Sequence, residues 1–131
     1  MAALPMASKE ELQALARPWT VLDMRDANEV EAGKGGPPHA VEGSVNVPLN
    51  VDGVPQAQRE TTLEEFKAKL DAAGVALPLD KSASIVTHCG RGGRGGRAAG
   101  YLKALGYDNV LNGGSPANIA GALTSSGDDA A

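Results

Sequence analysis

At 131 residues the chain is long enough for one domain with a modest core, and its 42% hydrophobic and 21% charged content is that of an ordinary soluble globular protein. A net charge of −4 and a pI near 5.1 exclude a broad nucleic-acid-binding face, which has to be basic. The single cysteine excludes an internal disulfide, no apolar run is long enough to cross a bilayer, and the first residues lack a basic-then-apolar secretion signal, so a cytoplasmic location is expected.

In chain order, residues 1–7 read as a loose end. Ser8 and Glu11 have capping-box spacing, and Leu12, Leu15 and Ala16 form an amphipathic helix that stops before Pro18. Thr20 to Met24 is a compact apolar run, read as a parallel strand buried on both faces and ending at Asp23-Met24-Arg25-Asp26. Gly33, Gly35, Gly36, Pro37 and Pro38 make Asn28 to Pro38 a loop. Val41 to Leu49 holds a second short strand, closed by Pro48. Thr61 or Thr62 caps a helix whose Leu63, Phe66 and Leu70 share one face up to Gly74.

Ile85 to Thr87 then reads as a buried strand that ends at Cys89. A glycine-rich turn follows, and from Arg94 the pattern is helical through Ala98, Ala99, Tyr101, Leu102 and Leu105, closed by Gly106. Asn109 to Asn112 is a further short strand, and Gly113-Gly114-Ser115 opens a last helical segment to Leu123. Ser125 to Ala131 is small, polar and acidic, and reads as disordered. This alternation predicts an α/β fold with a small, mostly parallel sheet of about five strands and helices on both faces, over residues 8–123, with flexible termini at 1–7 and 124–131. Ligands in such folds sit beyond the carboxyl ends of the strands, where Cys89 and the Asp23 to Arg25 corner both fall.

The stretch His88-Cys89-Gly90-Arg91-Gly92-Gly93-Arg94 is the chemical centre of the sequence. Turn amides and the helix N-terminus place partial positive charge at the end of the strand, and Arg91 and Arg94 add to it. These surroundings favour the thiolate, the nucleophilic form of cysteine. Gly95 and Gly96 continue the glycine run, and each adds backbone entropy that predicts a less rigid helix start.

Together these segments resemble the rhodanese family. Val21-Leu22-Asp23-Met24-Arg25 is similar to the family's strand ending in Asp-Val-Arg, and Val41-Glu42-Gly43-Ser44-Val45-Asn46-Val47-Pro48-Leu49 to its Ile-x-Gly-Ala-x-Asn-Ile-Pro segment. Ile85 to Cys89 resembles the strand that delivers the family's cysteine. Cys89-x-x-Gly92-x-Arg94, with Ala98, Leu102, Gly106-Tyr107, Val110 and Gly113-Gly114, resembles single-domain thiosulfate sulfurtransferases. The family's histidine before Ile-x-Gly-Ala falls at Ala40, with His39 one position early. The resemblance implies a sulfurtransferase in which Cys89 is the nucleophile and carries a persulfide. Gly90, Arg91, Gly92, Gly93 and Arg94 would bind the donor, with Asp23, Arg25, His88 and Arg97 supporting. The implied partners are a small sulfur anion such as thiosulfate and a thiol or cyanide acceptor, or an acceptor protein; no cofactor and no metal are expected.

Other readings of these residues are weaker. Arginines five and eight positions after the cysteine do not match the His-Cys-x5-Arg ring of phosphatase and arsenate-reductase relatives. The Arg-Gly-Gly repeats from Arg91 to Arg97 are too short, and too closely framed by strand and helix, for an RNA-binding tract. Gly90-x-Gly92-x-x-Gly95 matches a dinucleotide fingerprint, but little chain remains for such a domain. A non-enzymatic module of the same fold, carrying sulfur or binding a partner, is the competing class. Asp23 and Arg25 are read as an ion-paired corner, and His88 as structural, because its side chain leaves the strand opposite its neighbour's.

Overall fold

The computed structural model describes residues 2–36, 43–78 and 80–130, with backbone alone for 124–130. The elements run α1 (Lys9–Ala14), β1 (Thr20–Asp23), α2 (Ala27–Ala32), β2 (Val45–Asn46), a 3-10 turn (Val51–Gly53), α3 (Leu63–Ala72), β3 (Ile85–His88), α4 (Gly93–Ala104), β4 (Val110–Asn112) and α5 (Pro116–Ala130). The sheet is parallel throughout, in the order β2-β1-β3-β4. Four strands form it among the described residues, against about five expected; on the edge of β4 only Met6 adds a single parallel bridge, to Asn112.

Side chains alternate across the strands and divide the core in two. Leu22, Ile85 and Val110 pack with Phe66, Leu70, Ala98 and Leu102 from α3 and α4. Val21 and Val86 pack on the opposite face with Leu12, Ile119 and Ala122 from α1 and α5. Burying a side chain such as Leu22, Ile85 or Phe66, each fully enclosed, contributes roughly 1.5–3 kcal/mol. The Phe66 and Tyr101 rings meet at 5.3 Å between α3 and α4.

The expected helix starts hold. Glu11 N donates to Ser8 Oγ at 3.1 Å and Ser8 N to Glu11 Oε1 at 2.9 Å; Thr62 and Glu65 repeat the arrangement on α3. Thr61 does not cap: it is buried and donates to the Leu49 carbonyl at 2.6 Å.

Several expectations need correction. Residues 28–38 were expected to be loop throughout, yet α2 occupies Ala27–Ala32 and closes at Gly33 in the left-handed region, φ 70°. Its Glu29 accepts from the Asp26 amide at 2.9 Å, which fixes the first turn. Within Val41 to Leu49 the strand is confined to Val45–Asn46; the expectations at Pro37, Pro38, His39, Ala40 and Val41 lie outside the described residues. Two residues of the N-terminal stretch bond to the body of the domain. Leu4 N donates to Gly96 O at 3.0 Å and Ala7 N to Asn112 O at 2.8 Å. At the other end α5 passes Leu123 and reaches Ala130, since no proline stops its backbone.

The strand order reverses direction between β1 and β3: the chain moves outward to β2, then returns past β1 to β3 and β4. A crevice opens at such a point beyond the strand ends. Cys89 follows β3 there, beside the end of β1.

Candidate functional site

Cys89 is 2% exposed, and its amide donates to Gly114 O at 3.0 Å, tying the end of β3 to the turn after β4. Its sulfur receives two backbone amides, Gly92 N at 3.0 Å and Gly95 N at 3.5 Å. Gly92 is the N-cap of α4, with φ 97° and ψ −10°, so the amide reaches the sulfur only through a backbone that L residues avoid. Two donors at the positive end of a twelve-residue helix stabilise negative charge on sulfur.

Asn112 holds this turn from below. Its Nδ2 donates to Gly92 O at 2.9 Å, and its Oδ1 accepts from Gly114 N at 3.0 Å. In the sequence Asn112 reads only as a strand end; a polar amide closing the apolar pair Val110-Leu111 is the local signal for it. Gly95 and Gly96 are closely packed at the helix start. A Cβ on Gly95 would lie 2.8 Å from Asn112 Oδ1 and 3.0 Å from His88 Cα, and one on Gly96 would collide with Leu4 O, so neither position has room for a side chain.

The charged residues surround an open cleft of about 850 Å³ above the sulfur, lined by Asp26, Glu29, Lys34, Arg91, Arg94 and Arg97 together with loop glycines and Asn50, Pro55 and Gln56. Arg94 grips Glu29 with both terminal nitrogens, at 2.5 and 3.0 Å, and Asp26 Oδ1 lies 3.8 Å away. The Arg94 hydrogen bonds hold the Glu29 carboxyl below its usual range, and Glu29 raises Arg94 in turn. Arg97 pairs with Glu60 at 2.9 Å. Arg91 and Lys34 are exposed at the mouth and form no ion pair among the described residues. Of the two arginines expected to meet a donor, Arg91 is thus open and Arg94 engaged.

Asp23 and Arg25 form the expected ion-paired corner. The Arg25 side chain is 1% exposed; it meets Asp23 Oδ2 through Nη2 at 2.7 Å, and Nη1 donates to Gly36 O at 2.7 Å and Lys34 O at 3.2 Å. It therefore clamps the turn after α2, whose Gly35 lies directly against Gly90; a Cβ on Gly35 would strike the Gly90 Cα. The corner thus reaches the Cys89 loop through this backbone contact.

His88 pairs with Asp23 in the sheet register, and it projects on the face opposite Cys89. Its Nε2 meets Ser44 Oγ at 3.1 Å, while Nδ1, buried and without a hydrogen bond among the described residues, lies 3.9 Å from Asp23 Oδ1. Burial lowers its pKa below the ordinary 6.5, against the opposing pull of Asp23. The unfolded chain therefore binds this proton more readily, and stability falls as pH drops below 6.5 toward the folded value. We expect Tm to fall between pH 7.5 and about 5.5 in the native chain and to stay flatter in His88→Asn. Equal slopes in the two proteins would assign the loss to other groups.

A family model described as a rhodanese-like domain matches residues 8–117. Among solved structures, an uncharacterized protein from Saccharomyces cerevisiae is similar at a TM-score of 0.52 and 23% identity, over 96% of each chain. The human single-domain sulfurtransferase TSTD1 is similar at 0.49 and 23% identity, over 82% of this chain and 87% of that one. The Saccharomyces cerevisiae single-domain sulfurtransferase RDL2 follows at 0.48 and 20% identity, over 97% and 94%. At 23% identity the likeness to the first of these bears on the fold alone. No curated protein matches the chain.

Proposed function

The chain belongs to the rhodanese-like domain family, and on that premise we propose that it is a sulfurtransferase working through a persulfide on Cys89. The observation that carries the proposal is the pair of amides, Gly92 N and Gly95 N, directed at the sulfur from the start of α4. A buried thiolate so held attacks the outer sulfur of thiosulfate or a similar sulfane donor. The S–S bond of the donor breaks, sulfite leaves with the bonding pair, and the transferred sulfur keeps its negative charge as Cys–S–S⁻. Cyanide or a thiolate then attacks that terminal sulfur, forms thiocyanate or a new persulfide, and returns Cys89 as thiolate. Charge and electrons balance in both steps, and neither needs a cofactor or a metal.

In this reading the backbone of Gly90 to Gly93 and the first turn of α4 stabilise charge on the attacking and transferred sulfurs. Arg91, open at the mouth, meets the anionic end of the donor, and Arg97 adds to the positive field of the cleft. Asp23, Arg25 and Asn112 are positioning residues, and His88 is structural. The acceptor is a small thiophile or the cysteine of an acceptor protein entering the same cleft. Among the described residues no helix is long and apolar enough to cross a membrane.

Mass spectrometry tests the proposal. Protein incubated with thiosulfate should gain the mass of one sulfur atom on Cys89 and lose it on addition of cyanide, and Cys89→Ser should gain nothing. A wild-type chain that takes up no sulfur would overturn the assignment of thiosulfate as donor. A persulfide that neither cyanide nor a small thiol discharges would identify a carrier instead of an enzyme.

A further inference from the structure

The arginine expected to hold the donor already holds a carboxylate. Glu29 Oε1 and Oε2 accept from Arg94 at 2.5 and 3.0 Å, and Glu29 Oε1 also accepts from the Asp26 amide at 2.9 Å. Three donors therefore keep the acid in place, and its side chain is only 25% exposed. Asp26 brings a second carboxylate 3.8 Å from Arg94, and both acids line the cleft that holds Cys89. The two acids more than cancel the charge of Arg94. Of the remaining cations, Arg97 is paired with Glu60 at 2.9 Å, and Arg91 and Lys34 stand in water at the mouth, where screening weakens them.

A donor that approaches Arg94 meets Glu29 already bound to it and Asp26 beside it. A dianion must pull Arg94 away from a bidentate partner or lie beside an unneutralised carboxylate, and both are unfavourable. A donor with one charge fewer meets less opposition. We propose that Glu29 is a specificity-determining residue that biases the site toward singly charged sulfane donors, the thiosulfonates R–SO₂–S⁻ and persulfides R–S–S⁻, and against dianions such as thiosulfate. For a thiosulfonate the step balances as before: Cys89 thiolate takes the outer sulfur, the S–S bond breaks, and the sulfinate R–SO₂⁻ leaves with the bonding pair. The inference rests on the sulfurtransfer reading.

Thiosulfate and methanethiosulfonate form a matched pair of donors, since a methyl group replaces one charged oxygen. Steady-state rates with each, at low ionic strength and fixed cyanide, are compared in the native chain and Glu29→Gln, which keeps an oxygen for the Asp26 amide. The expected result is a KM for thiosulfate lowered about tenfold in the variant, a KM for methanethiosulfonate changed less than about twofold, and little change in kcat. Glu29→Ala, at a helical position that alanine suits, supplies the same readout should the first variant not fold. KM values that rise together for both donors would show that Glu29 merely holds Arg94 in position and would overturn the inference, as would an unchanged ratio of the two. In those cases sulfur transfer itself stands. Absence of sulfur uptake from both donors by the native chain overturns the sulfurtransfer reading and this inference with it.

Discussion

Replacing Arg25 by methionine is expected to destabilise the fold by about 3–5 kcal/mol, the usual consequence of stripping one partner from a buried ion pair. The side chain is enclosed at 1% exposure, and its guanidinium serves three acceptors: the Asp23 carboxylate and the carbonyls of Lys34 and Gly36. Methionine fills comparable volume but leaves Asp23 charged, 7% exposed and without its cation. For a domain of this size the loss is a large fraction of the roughly 5–15 kcal/mol that separates folded from unfolded chain. The double variant Asp23→Leu with Arg25→Met leaves no charge stranded and should recover part of the loss. Urea unfolding followed by the fluorescence of Trp19 measures both. A single-variant loss below about 1 kcal/mol would mean that water reaches Asp23 and that the pair acts as a surface bridge.

The second large effect falls on chemistry. Gly92→Ala is expected to lower the rate of sulfur loading about 100-fold, the range seen when one backbone or side-chain donor to a developing anion is removed. Alanine resists φ 97°, and its Cβ would lie 3.3 Å from the Gly114 Cα and 3.6 Å from Asn112 Nδ2. The turn must reshape, and the amide now 3.0 Å from the Cys89 sulfur turns away from it. The strained conformation itself involves only about 1–2 kcal/mol, so the variant should still fold. Stopped-time loading assays with thiosulfate, read by mass, give the rate, and circular dichroism reports the fold. A loading rate within about threefold of the native chain would remove the Gly92 amide from the proposed mechanism.

Much of this arrangement was legible in the residues themselves. The β-branched run before Cys89, the apolar run before Asp23 and the glycine turn before the Ala98 to Leu105 periodicity each carry local signals, and the strands and α4 lie where those signals point. The helix α2 was obscured by the glycines and prolines just after it. Yet Asp26 and Glu29 have the same spacing as Ser8 and Glu11, and the capping argument that found α1 applied equally to α2. The Arg94–Glu29 pair was beyond local reasoning, because the two residues are 65 positions apart and meet only when α2 and α4 converge over the crevice. The packing of the α4 glycines is nonlocal for a related reason. Their entropy is a property of the isolated helix, whereas their purpose is set by Leu4 and Asn112, which arrive from distant parts of the chain.

The N-terminal segment also changes what a neighbouring molecule would encounter. A parallel sheet has two outer strands whose backbone groups can recruit foreign strands and seed aggregation. Here β2 is only two residues long on one side. On the other, residues 4–7 meet the end of β4 at Asn112, whose carbonyl accepts from Ala7 N and whose side chain donates to the Leu4 carbonyl. Among the described residues the sheet therefore ends in a two-residue strand on one flank, and on the other the segment around Met6 pairs with the last residue of β4.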